Sequence, residues 1–327
     1  MILQIIAAFL TSLAVTAGAG FFLVPALRRA KAGQSIREDG PVWHNNKQGT
    51  PTMGGVMFIA GIAIACLTAG FREMQDGDFV HIVVLAFALV YAAIGFIDDY
   101  VKLKKKRNLG LKARHKFALQ IVAAIGMLLL MRLTGNLTPD LFIPFFGVTV
   151  SVPAPLYYIF AVIVVVGTVN SVNITDGADG LATGVSLPVA AFFAVAAFLW
   201  GYSALGVFAG ALAGGLVGFL YFNFHPAKVF MGDTGSLFLG GAVCALAFAM
   251  NMPLILLPLG FVYFVETLSD IIQVSYFKLT KGRRVFKMAP IHHHFEMCGW
   301  SEHKLFAVFT SVSAVFAVLS YLGVYSR

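Results

Sequence analysis

LFLGGAVCALAFAMNMPLILLPLGFVYFVETLSDIIQVSYF, residues 237–277, is a run of 41 residues with two charges, Glu266 and Asp270. As one straight helix it would be roughly 60 Å long, twice the hydrocarbon core of a bilayer. The run must therefore turn back, and Asn251-Met252-Pro253 is the natural break, because proline cannot continue the preceding helix and asparagine tolerates a turn conformation. The same argument applied to Gly184–Phe222 places a turn near Gly201-Tyr202-Ser203.

The rest of the chain fits this reading. Of its 327 residues, 59% are hydrophobic and 12% charged, which excludes a soluble globule and leaves no sizeable soluble domain. Ten spans of about the required 20 residues follow: Ile2–Leu27, Thr52–Gly70, Phe79–Ile97, Phe117–Leu133, Leu156–Val172, Gly184–Gly201, Ala204–Phe222, Leu237–Met252, Pro253–Phe277 and Phe306–Tyr325. The first lacks a basic leader and is too long for a signal-peptide core, so it counts as a span. The segments 28–51, 98–116, 173–183, 223–236 and 278–305 carry 20 of the 23 lysines and arginines. Basic loops stay in the cytoplasm, so both termini are expected outside. Phe142–Val152, on the outer side, is too short to span and alternates, which suggests a small periplasmic β-hairpin. The fold class is thus an all-α polytopic membrane protein, one integral membrane domain with its chemistry in those five cytoplasmic loops. The scattered cysteines Cys66, Cys244 and Cys298 read as apolar packing.

Five carboxylates fall at cytoplasmic ends of spans: Asp98 and Asp99 in GFIDDYVKLKKK, Asp176 and Asp179 in NSVNITDGADGLATG, and Asp233 in NFHPAKVFMGDTGS. Carboxylates near the membrane are costly and so are functional candidates. Asp233 lies beside a Gly/Ser/Thr turn, a combination suited to a hard cation and a phosphate, although the same residues cap helices. Asp98 and Asp99 are about 100° apart on a helix, so one is expected to face the site while the other orients a partner. Lys116, held at the start of a span, is a phosphate candidate, whereas the other basic residues of 102–114 read as topology determinants. Asn173, Asp176 and Asp179 suggest a loop that binds a polar ligand, with the Asp-Gly steps as plain turns the alternative. Three adjacent histidines, His292, His293 and His294, diverge too much for a zinc site and suit donors to phosphate or sugar oxygens. Carboxylates, magnesium and lysine together point to phosphoryl transfer with a lipid substrate. The rival class is an ion-coupled transporter, disfavoured because the carboxylates sit at helix ends and no broken mid-membrane helix is expected.

DGPVWHNNKQGTPTMGG (39–55), GFIDDYVKL (95–103), GLKARHK (110–116), NSVNITDGADGLATG (170–184), FNFHPAKVFMGDTGSLFLGG (222–241) and MAPIHHHFE (288–296), with Gly299-Trp300 and Glu302, resemble the polyprenyl-phosphate N-acetylhexosamine-1-phosphate transferase superfamily. Within it they resemble the phospho-N-acetylmuramoyl-pentapeptide-transferases. GTPTMGG and APIHHHFE favour that branch over relatives that transfer GlcNAc-phosphate from UDP-GlcNAc. The resemblance implies ten helices in the bacterial plasma membrane, both ends outside, a cytoplasmic active site and a homodimer without nucleic-acid partners. It implies magnesium-dependent transfer of phospho-MurNAc-pentapeptide from UDP-MurNAc-pentapeptide to undecaprenyl phosphate, giving lipid I and UMP. By position it makes Asp233 the magnesium ligand, Asp98 the base with Asp99 beside it, and Lys116 a phosphate contact. It places Lys47, Thr52, Asn173, Asp176, Gly177, Asp179 and Phe230 on the nucleoside side. Asn223, His292, His293 and His294 fall on the diphosphate and sugar side. The chain departs from the pattern at Trp43, Ala178 and Asp270.

Overall fold

The computed structural model describes residues 1–29, 49–105 and 109–325; Trp43 and Lys47 lie outside them. The helices are α1 Ile2–Arg29, α2 Gly55–Thr68, α3 Phe71–Gln75, α4 Val80–Lys105 and α5 Ala113–Leu133. After strands β1 Asp140–Ile143 and β2 Val148–Ser151 come α6 Ala154–Thr175, α7 Leu181–Leu199, α8 Ser203–Asn223 and α9 Gly232–Ala249. The chain ends with α10 Leu256–Leu259, α11 Phe261–Leu279, α12 Ile291–Glu296 and α13 Glu302–Val324.

Among the described residues, eight helices (α1, α4–α9 and α13) are long and apolar enough to cross a membrane. The expected second span is a shorter apolar helix, α2, of 14 residues. The expected ninth is not one straight helix. Pro253–Leu259 and α11 meet at a bend of 77° around Gly260. A hydropathy profile registers apolar content, not direction, so it misses the break. This removes one argument made against a transporter, the absence of a broken helix.

Both predicted turns are present. Asn251, at φ 51°, follows the end of α9, and its side-chain oxygen accepts from the Thr138 N–H at 2.9 Å. Gly201, at φ 76°, separates α7 from α8. The hairpin is also present, antiparallel in the register Asp140↔Ser151 to Ile143↔Val148, starting two residues earlier than read from the sequence. Cys66 and Cys244 are buried as expected; Cys298 is exposed.

The most buried helices are α8 and α9. α8 packs among α1, α2 and α7, and α9 lies between α4 and α6. In lipid, helix association relies on close van der Waals contact and interhelical hydrogen bonds, because tails are as apolar as leucine. The chain supplies the first with a four-residue glycine stripe on α8: a Cβ at Gly214 would overlap the Phe9 carbonyl of α1. Phe58 of α2 then reaches Phe219 of α8 and Phe238 of α9, with ring centroids 5.2 and 5.9 Å away. The second comes from buried pairs such as Ser186–Tyr263 at 2.6 Å and Ser313 Oγ to the Val185 carbonyl at 2.7 Å. This scaffold sets the ends of α4, α5, α6 and α9 side by side.

Candidate active site

α4 is helical well past the apolar stretch that ends at Ile97, so Asp98, Asp99 and Lys102 share its last turns. Glycine at 95 lets α4 lie against the start of α9, since a Cβ there would overlap the Asp233 carbonyl oxygen. The two adjacent aspartates then act differently. Asp99, 2% exposed, accepts from the Thr234 N–H (2.9 Å), the Thr234 hydroxyl (2.7 Å) and the Asp233 N–H (3.2 Å). It thus caps the N-terminus of α9, satisfying donors that the helix itself leaves unpaired and complementing its dipole. Asp98 accepts from the Leu111 N–H at 2.8 Å and pairs with Lys102 at 2.7 Å.

Asp233 stands in the first turn of α9 and receives three side chains. Its Oδ2 meets Lys116 Nζ at 2.6 Å and Lys102 Nζ at 2.9 Å; its Oδ1 accepts from the Asn173 amide at 2.9 Å. Asn173, at the end of α6, is braced by a further 2.7 Å bond to Ser236. Asp98, Asp99 and Asp233 each offer an oxygen, all within 4.8 Å of one another. Hard oxygen donors at this spacing suit a divalent cation such as magnesium.

Asp176 follows α6 beside this cluster. Burial, and after it the charges of Asp233, Asp99 and Asp179, push its carboxyl well above the usual carboxylate range. Thr52 is buried at the start of α9, where residues 51–54 run alongside 230–231: the Phe230 N–H donates to the Pro51 carbonyl and the Gly54 N–H to the Phe230 carbonyl.

Other sequence candidates are tied into the fold. Asp179 Oδ2 holds His225 Nδ1 (2.8 Å) and the Ala227 N–H (2.9 Å), while its own N–H donates to Glu302 at 3.0 Å. Asn223 accepts from the Thr183 hydroxyl and donates to the Val229 carbonyl. These side chains shape the 223–231 loop. His293 pairs with Glu296 at 2.6 Å, and His294 Nδ1 accepts from the Lys287 N–H.

His292 is fully buried, with Nδ1 2.9 Å from Glu266 Oε2 and its ring edge filling the space over Gly177. Burial lowers its pKa, but the Glu266 carboxylate, together with the charges of Glu296 and Asp270, raises it on balance. A raised folded-state pKa stabilises the protein below the ordinary histidine value and loses that contribution as pH climbs through the raised one. Detergent-solubilised protein should therefore lose thermal stability as pH rises above about 6.5. Glu266→Gln should flatten this slope; an unchanged slope would refute the assignment.

Sequence reading missed Lys102 as a site residue; it noted Glu266, as a polar contact or a catalytic group, and His225 and Glu302, but did not pair them with His292 and Asp179. Lys102 carried a readable clue, lying four and three residues after Asp98 and Asp99 and hence on their helix face. The other pairings join residues far apart in sequence.

The sequence pattern of Glycosyl transferase family 4 matches residues 81–251, and phospho-N-acetylmuramoyl-pentapeptide-transferase signature 1 matches residues 47–59. Curated relatives named phospho-N-acetylmuramoyl-pentapeptide-transferase match over nearly the whole chain. The protein of Caldanaerobacter subterraneus subsp. tengcongensis is 47% identical, covering 98% of this chain and 99% of that one. That of Clostridium acetobutylicum is 46% identical, covering 93% and 94%. That of Heliobacterium modesticaldum is 47% identical, covering 96% of each. With the carboxylates gathered at the ends of packed membrane helices and identity of this extent, the chain belongs to the phospho-N-acetylmuramoyl-pentapeptide-transferase family.

Proposed function

We propose that this multi-pass membrane protein transfers phospho-MurNAc-pentapeptide from UDP-MurNAc-pentapeptide to undecaprenyl phosphate, yielding lipid I and UMP for peptidoglycan synthesis. One observation carries the reading: Asp98, Asp99 and Asp233 converge on two lysines in a chain that matches transferases of that name almost end to end. The site faces the cytoplasm of the plasma membrane in a single ten-span domain with both termini outside, and the protein works as a homodimer. The basic loops support this orientation.

Asp233, with Asp98 and Asp99 beside it, would hold magnesium, which when bound would neutralise charge on the donor diphosphate. Lys116 contacts the diphosphate. Asp98, two turns before the end of α4, takes the proton from the acceptor phosphate. The acceptor oxygen attacks the β-phosphorus in line, the bond to the bridging oxygen breaks, and UMP leaves with that electron pair. Thr52, Asn173, Asp176, Gly177 and Phe230, with Lys47, form the nucleoside side, Phe230 stacking on uracil. Asp179 supports that loop from below. The histidines of α12 border the sugar side, His292 by bracing the Asp176-Gly177 turn.

The test uses purified protein, undecaprenyl phosphate and magnesium. UMP release is expected from UDP-MurNAc-pentapeptide, not from UDP-GlcNAc, and is abolished by EDTA. Release from UDP-GlcNAc would assign the sister activity. Release from neither, by folded protein, would favour the ion-coupled transporter, whose broken helix is present but carries none of the three converging aspartates.

A further inference from the structure

Each oxygen of Asp233 already has a donor, and the most central donor is Lys102. Its ammonium lies 2.7 Å from Asp98 Oδ2, 2.9 Å from Asp233 Oδ2 and 3.6 Å from Asp99 Oδ1. The other donors to the triad are fixed more firmly. The Leu111 and Thr234 N–H groups belong to the backbone, and the Asn173 amide is braced by Ser236. Lys116 touches Asp233 alone among the three, so it meets a cation shared by the triad at one oxygen only. Lys102 competes with such a cation directly, because its ammonium already sits on one oxygen each of Asp98 and Asp233 and 3.6 Å from Asp99, the three carboxylates that a divalent ion would bridge.

We infer that Lys102 is a displaceable internal cation. Its ammonium balances three closely set carboxylates, which would otherwise repel one another, and yields their oxygens when a divalent cation enters. The side chain has the means to leave: it stands in the last turn of α4 on a flexible stem and is 23% exposed. Once released, the ammonium is available to the donor's diphosphate, so cation entry and phosphate capture become one exchange. Lys102 would then act both as a gate on metal affinity and as a phosphate contact. This rests on reading Asp233 as a metal ligand.

The experiment is a Mn2+ titration without substrate, followed by electron paramagnetic resonance, on wild type, Lys102→Gln and Lys116→Gln in detergent. Lys116→Gln removes the same charge from the same Asp233 oxygen and so controls for simple electrostatics. Lys102→Gln is expected to bind Mn2+ about tenfold more tightly than wild type, beyond any gain in Lys116→Gln. Mn2+ should also raise its unfolding temperature more than it raises that of wild type. A second measurement needs no variant: amine acylation of wild type, read by mass spectrometry, should increase at Lys102 when Mn2+ is added and not at Lys116. Equal or weaker Mn2+ binding by Lys102→Gln, or acylation of Lys102 that stays level or falls, would overturn the exchange while leaving Asp233 as a ligand. Absence of Mn2+ binding in wild type and variants alike would overturn both.

Discussion

Asp233→Asn is expected to reduce UMP release by at least ~100-fold, the scale of losing one preorganised electrostatic group in an active site. The substitution keeps size and an acceptor for the Asn173 amide. It removes the anionic charge that a hard cation needs and that two ammonium groups share at 2.6 and 2.9 Å. Added magnesium should not restore the rate, because the deficit is in the ligand and not in occupancy. Near-normal turnover in this variant would end the assignment of Asp233 to the metal. A parallel unfolding measurement separates this from misfolding, since two lysines left facing a neutral amide also weaken the cluster.

Asp99→Ala is expected to damage stability as much as activity. The carboxylate is almost inaccessible and receives two N–H groups and a hydroxyl from the first turn of α9. Removing it leaves these donors buried without a partner and takes one countercharge from Lys102, a loss of about 3–5 kcal/mol. The apparent unfolding temperature in detergent should fall clearly, and turnover should fall with it because Asp233 rides on the same helix turn. Asp99→Asn, which keeps one acceptor oxygen for Thr234, should recover part of the stability and little of the activity. An Asp99→Ala protein as stable as wild type would show that the cap does not hold α9 in place.

The ring of His292 and the carboxylate of Glu266 show a second kind of coupling. A buried pair 26 positions apart fixes the short helix α12 to α11, and the histidine edge then supports the Asp176-Gly177 turn. Changes at Glu266 should therefore be felt on the nucleoside side without any direct contact there.

Much of the architecture was legible from the chain alone. Apolar runs of membrane length located most spans, and Asn251-Met252-Pro253 and Gly201 marked turns that are present. These features depend on local composition and local backbone preference, which a sequence carries directly. The gathering of Asp98, Asp99, Asp176 and Asp233 toward one end of the bundle was readable for the same reason: each follows from its place at a span end. What tertiary structure alone decided depends on direction and on long-range partners. The 77° bend at Gly260 changes the path of an apolar run without changing its hydropathy. Asp179 and Asn223 stand out by motif, and only the fold shows their side chains bonded to His225, Ala227, Thr183 and Val229. Lys102 reads as one more basic residue of a cytoplasmic loop until α9 brings Asp233, 131 positions away, within 2.9 Å of its ammonium. A charge acquires its role from the charges packed against it, and helix packing sets those.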